Sequence, residues 1–135
     1  MKNLKLLAAA AALVLAGCTP PPMSEVRATL EDWLARFGKG EAHVLFASGL
    51  QQYEAGEYAD AAESLHSALT FGLPVRERAS AHKHLAFIYC AAGLEPACAS
   101  EFRKALIADP GLDLEDAEAG HPAWGPVFRY VKAER

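Results

Sequence analysis

From residue 23 onward, apolar side chains recur at three- and four-residue intervals, and no stretch alternates apolar and polar positions with β-branched residues. This is the period of helices that bury one face, not of half-buried strands. The spacing predicts a first amphipathic helix over Met23–Phe37. Val26, Leu30, Leu34 and Phe37 form its stripe, with Trp33 beside them, Ser24 as N-cap and Glu25 in the first turn. Gly38 and Gly40 are expected to end it. The chain before it has a different pattern. Lys2 and Lys5 precede an unbroken apolar run from Leu6 to Leu15, and small residues follow. Ten apolar residues are too few to span a bilayer as a helix, which takes about 20. The arrangement is that of a cleavable secretory signal.

The next seventy residues repeat. HVLFASGLQQYEAGEYADAAESLHSAL, His43 to Leu69, aligns without a gap on SAHKHLAFIYCAAGLEPACASEFRKAL, Ser80 to Leu106, at a shift of 37. Gly49 falls on Ala86, Gly56 on Gly93, Ala61 on Cys98, Leu65 on Phe102, Ala68 on Ala105 and Leu69 on Leu106; Pro110 closes the second copy. Small residues at Gly49, Ala61 and Ala68, then at Ala86, Cys98 and Ala105, suit close antiparallel packing of two helices. Leu65 and Phe102 fill the space beyond each contact, and Gly56 and Gly93 suit the left-handed residue that ends a helix. These positions resemble the tetratricopeptide repeat, a helix-turn-helix unit of about 34 residues. The second unit carries nearly every consensus feature, whereas in the first Gln52 stands where an aromatic is expected. The extra residues between units fall in FGLPVRERA, where Gly72 and Pro74 mark a loop and a helix restart.

Beyond Asp109-Pro110-Gly111, Glu115 to Ala119 can form one short helical turn. Gly120, Pro122 and Pro126 then break the chain, and a last helix is expected over Gly125–Ala133 with Val127, Phe128, Val131 and Trp124 toward the repeats. His121, before a proline and near Trp124, reads as a corner residue. Two repeats expose apolar edges and are fewer than the three usually needed for stability. The expected fold is therefore all-α: two tetratricopeptide-like helix-turn-helix repeats flanked by an N-terminal and a C-terminal capping helix. The expected divisions are a signal at 1–17, a tether at 18–23 and a helical domain at 24–135. The repeats lie at about 41–74 and 79–112, and the tail at 113–135.

Leu15-Ala16-Gly17-Cys18 resembles a bacterial lipobox. That resemblance implies acylation of the Cys18 thiol, cleavage just before it, and, since residue 19 is Thr and not Asp, delivery to the outer membrane, facing the periplasm. The prolines after Cys18 read as a short extended tether. Removing Lys2 and Lys5 leaves 11 basic against 17 acidic residues, so the formal net charge moves from -4 to -6. That balance argues against a nucleic-acid partner and against a polybasic grip on lipid, leaving the acyl chains as the membrane contact.

Cys90 and Cys98 remain, on helices joined by a short turn that brings them near each other. In an oxidising compartment pairing is favoured. The alternative is two reduced, buried small residues in the helix contact. A redox pair would need C-x-x-C spacing, which is absent, and His82, His84, Cys90 and Cys98 lack zinc-ligand spacing. His82 and His84, two apart on a helix, point to opposite faces. No nucleophile elbow, phosphate loop or zinc-protease motif occurs, so no enzyme activity, catalytic residue, metal, cofactor or small-molecule substrate is expected.

The whole combination, with the tail AEAGHPAWGPVFR, is similar to small TssQ-type lipoproteins associated with type VI secretion systems. This implies an outer-membrane-anchored scaffold that binds a protein component of a secretion apparatus. In the tetratricopeptide family the first helix of each unit lines the binding face. Carried over, that face holds Phe46, Leu50 and Tyr53 from one unit and Lys83 and Phe87 from the next, unless these pack against the N-terminal helix. The competing expectations are a pilot for secretin channels in pilus biogenesis, an outer-membrane assembly subunit, or a structural envelope spacer with no specific partner.

Overall fold

The structure, a computed structural model, describes residues 22–135; at 30 and 33–37 only the backbone is described. Cys18, the signal and most of the tether therefore lie outside the described residues, as do the side chains of Leu30, Trp33, Leu34 and Phe37. The described residues form six helices. They are α1 (Met23–Glu54), α2 (Tyr58–Phe71), α3 (Val75–Ala91), α4 (Glu95–Ala108), α5 (Asp116–Ala119) and α6 (Gly125–Ala133). The chain divides into two compact units, Met1–Leu34 and Ala35–Arg135. The helical hairpins of the second unit are tetratricopeptide-like.

In the first unit the helix begins one residue earlier than its expected cap. The Pro22 carbonyl accepts the first helical hydrogen bonds, from the Glu25 and Val26 amides at 2.9 and 3.4 Å, so Ser24 lies inside the first turn. Thr29 Oγ1 donates back to the Glu25 and Val26 carbonyls.

The expected break at Gly38 and Gly40 does not occur, and α1 runs unbroken through both. Helix termination by glycine needs a left-handed residue, and the positive-φ glycines are Gly56, Gly72 and Gly93. A helical glycine costs about 1 kcal/mol relative to alanine, and at Gly38 the missing side chain leaves the Phe71 carbonyl at the rim of the helix, 3.9 Å from where a Cβ would stand.

The 37-residue repeat extends to individual hydrogen bonds. At the end of α1, Gly56 (φ +80°) donates to the Tyr53 carbonyl and Glu57 to the Gln52 carbonyl. At the end of α3, Gly93 (φ +74°) donates to Cys90 and Leu94 to Tyr89. Both are paired Schellman closures, which satisfy the last carbonyls of one helix while the chain reverses into the next. Gly49 explains the tightness of the first hairpin: a Cβ there would stand 2.8 Å from Leu65 Cγ. After α2 the connection is short, and α3 starts at Val75 behind Pro74, whose fixed φ suits a helix entry.

Two apolar clusters result, and α3 serves both. Ala81, Leu85 and Ile88 join Ala42, Ala61, Leu65, Ala68 and Leu73 in the first. Ala86, Phe87 and Cys90 join Cys98, Phe102, Leu106, Leu114, Phe128 and Val131 in the second. A helix packed on both sides must be apolar around most of its circumference. The C-terminal half of α3, LAFIYCA, has that composition.

The tail closes the second cluster, with α6 packing on α4. Phe128 meets the Phe102 ring edge-on at 5.1 Å, and Val131 is fully buried. Gly125 is required by contact, because a Cβ there would stand 2.3 Å from the Ala119 carbonyl oxygen.

Candidate functional site

Phe46, Leu50 and Tyr53 are spaced by four and three residues and so share one stripe of α1; Lys83 and Phe87 are one turn apart on α3. All three α1 residues are half-buried and lie against the first cluster. Tyr53 also faces α3. Its ring lies 5.1 Å from His84, 5.6 Å from Tyr58 and 6.4 Å from Phe87. Burial raises the Tyr53 phenol above its ordinary pKa, assisted by nearby Tyr58 and Glu118.

The α3 half of this face is occupied by the chain itself. Phe87 is only 2% exposed, with the Trp124 ring at 4.6 Å and Phe102 edge-on at 5.9 Å. Lys83 Nζ donates to Glu118 Oε1 at 2.6 Å, and both side chains are largely buried. A pair so placed contributes more through geometry than a surface ion pair does, and losing one partner strands a desolvated charge.

Glu118 is the junction of the tail. Its Oε2 accepts from the Glu115 amide and its carbonyl accepts from Trp124 Nε1 at 2.9 Å. His121 stacks on Trp124 at 3.4 Å and its Nδ1 accepts from the Ala123 amide, while Arg129 reaches the Ala119 carbonyl. The corner expected at His121 is thus built from two aromatic planes and local backbone bonds. Glu118 was not among the expected face residues. Its signal was weak, since an acid two residues before a glycine reads as a surface position until its partner 35 residues earlier is known.

A second polar group was also missed. Glu101 is 4% exposed on α4, where His82 Nδ1 donates to Oε2 and Lys104 Nζ to Oε1, both at 2.6 Å. Burial alone would raise its carboxyl pKa, but the two charge-assisted hydrogen bonds outweigh it and hold the pKa below the usual range. Residue 101 follows Cys98 by three and precedes Ala105 by four, both buried, and that spacing was the available clue. His84 lies on another side of α3, its Nδ1–H bonded to the Ser80 carbonyl at 2.8 Å, and burial lowers its pKa. The histidine paired with a carboxylate and the histidine beside a serine are therefore separate groups. Among the described residues no cluster of three or more His, Cys, Asp or Glu is arranged to hold a metal.

Cys90 and Cys98 are joined by a disulfide, with Cα atoms 5.2 Å apart, inside the usual bridging range of 4.4–6.8 Å. The bond ties the last turn of α3 to the first turn of α4, and both residues are buried. Among the described residues no helix is long and apolar enough to cross a membrane.

No protein-family model matches the chain, and no solved structure matches it. It is 34% identical over 89 residues to the photosystem I assembly protein Ycf3 of Synechococcus sp. (strain CC9605), an alignment covering 64% of this chain. The chain spans about half, 51%, of the length of that curated relative. This similarity and the helical-hairpin architecture together support a tetratricopeptide-like protein.

Proposed function

We propose that the chain is a non-catalytic scaffold that brings protein components of a larger assembly together. The observation that carries this reading is the pair of helical hairpins closed by identical backbone turns at a 37-residue interval. Repeats of this kind offer helix faces rather than a reaction centre. Similarity to a protein named for photosystem I assembly points the same way. In the finer reading, Cys18 carries the acyl anchor, the outer membrane is the site, and the partner belongs to a secretion apparatus of type VI. The lipobox-like start and the tail sequence support that finer reading.

The test uses the full chain with a photo-crosslinking residue at Tyr53, on the α1 stripe that the tail leaves half-exposed. A single envelope protein captured in stoichiometric amount is expected. Capture of neighbours in proportion to their abundance overturns the scaffold reading in favour of a spacer. The anchor is tested separately. Cys18→Ser should abolish palmitate labelling and outer-membrane fractionation, and retention of both refutes the lipoprotein reading.

A further inference from the structure

The first turns of α1 carry an apolar stripe that opens on solvent at Met23 and Val26. At 3.6 residues per turn, Met23, Val26, Leu30, Trp33 and Leu34 fall within about 100° of the helix circumference. Glu25, Arg27, Glu31 and Asp32, the charged residues of the same stretch, all fall outside that arc. Met23 is 75% and Val26 41% exposed, although both are large apolar groups. The stretch is too short and too charged to cross a membrane. A helix of this pattern can instead lie along a bilayer with its apolar face in the acyl boundary.

Three features point to lipid as the occupant. First, the chain brings the stripe to a lipid surface. On the lipoprotein reading Cys18 is acylated, and the five chain steps from Cys18 to Met23 span at most about 18 Å. Second, Trp33 is of the side-chain type that settles at the headgroup level, and Arg27, placed by the helical period at the edge of the stripe, suits lipid phosphates. Third, the stripe lacks the marks of a paired helix, which is selected by charges along both of its borders. The border opposite Arg27 holds Thr29, whose hydroxyl donates to the Glu25 and Val26 carbonyls. With three acids against one arginine, residues 23–34 have no electrostatic attraction to anionic lipid. The stripe therefore acts once the acyl chains have brought it to the surface, where its contact with lipid is intramolecular in effect.

We infer that the first turns of α1 lie on the membrane surface with their stripe among the lipid chains, a second contact beside the acyl anchor. The inference rests on the lipoprotein reading and adds to it the orientation of this helix. The test uses the acylated full chain in vesicles of phosphatidylethanolamine with a minor share of phosphatidylglycerol. Val26→Cys and Ala28→Cys, on opposite sides of the helix, receive a nitroxide in turn; Cys90 and Cys98 are joined and offer no competing thiol. The label at 26 should collide with membrane-dissolved oxygen more than with an aqueous nickel chelate, at a depth of about 5–10 Å. The label at 28 should show the reverse. Leu30→Glu should bring the label at 26 to the aqueous value, with palmitate labelling and helical content unchanged. Nickel access at 26 equal to that at 28, or indifference to Leu30→Glu, overturns the inference. Shielding of 26 from both reagents, or spin–spin broadening that unlabelled protein removes, overturns it too, by showing a protein partner or a second copy on the stripe. With palmitate incorporated, each of these results leaves the lipoprotein reading standing. An unsubstituted chain that takes up no palmitate refutes that reading and this one together.

Discussion

The two hairpins share a backbone plan and differ in what holds them. In the first, α1 and α2 meet through Gly49 and Leu65, and the surrounding cluster is alanine and aliphatic. In the second, α3 and α4 are joined by a disulfide, packed through Phe87, Phe102 and Phe128, pinned by the buried Glu101 pair and covered by the tail. Equal repeat geometry therefore does not mean equal mechanical role. The second hairpin with its tail is the stability centre, and the first leaves its aromatic stripe half-exposed.

The largest break in this contrast is Phe87→Glu against Tyr53→Glu. The first puts an unpaired carboxylate among rings at a 2% exposed position, an expected loss of several kcal/mol. The second has a route to solvent and should cost clearly less. Thermal melts followed by circular dichroism test the pair, and equal losses would erase the distinction between the two faces.

Reduction is next. Opening the Cys90–Cys98 bond, whose partners are 8 residues apart, should cost about 2–3 kcal/mol in the chain-entropy model without unfolding the hairpin. Amide exchange should quicken mainly in α3 and α4. Equal quickening in α2 would mean that the hairpins open together.

Gly49→Ala and its repeat-mate change Ala86→Gly sharpen the comparison further. The first forces a Cβ to within 2.8 Å of Leu65 Cγ and should cost about 1–3 kcal/mol. The second should cost about 1 kcal/mol, through backbone entropy in the helix and a lost methyl contact. A cost at Gly49 below that at Ala86 would contradict the close approach.

The smallest effect is in pH. Glu101 has a lowered folded-state pKa, so its contribution is fully present above the unfolded value of about 4.3 and fades as pH falls through the lower folded value. Glu101→Gln should flatten this acid limb, and the same substitution at exposed Glu63 should not. Urea midpoints between pH 2 and 6 measure both.

Much of the fold was legible because the signals were local or periodic. The turn glycines at 56 and 93, the small contacts, and the final helix at Gly125–Ala133 follow from spacing and from residues whose conformations are restricted. Two things were not legible. Gly38 and Gly40 read as a stop, but a glycine ends a helix only where the chain turns left-handed, which tertiary packing decides. The fate of Lys83 and Phe87 depended on where Glu118 and Trp124 land, 35 residues away in the case of the ion pair. Helical period identifies the face a residue occupies and says nothing of a distant segment that covers it.

The double duty of α3 also sets an order of events. As the chain emerges from its N-terminus, the first cluster stays open until Leu85 and Ile88 arrive. The second cannot close until Val131 is in place, because that fully buried side chain completes the contact of α6 with α4. Domains fold as cores become complete, so one apolar flank of α3 stays uncovered from the completion of that helix at Ala91 until Val131 arrives, and the second core is acquired late.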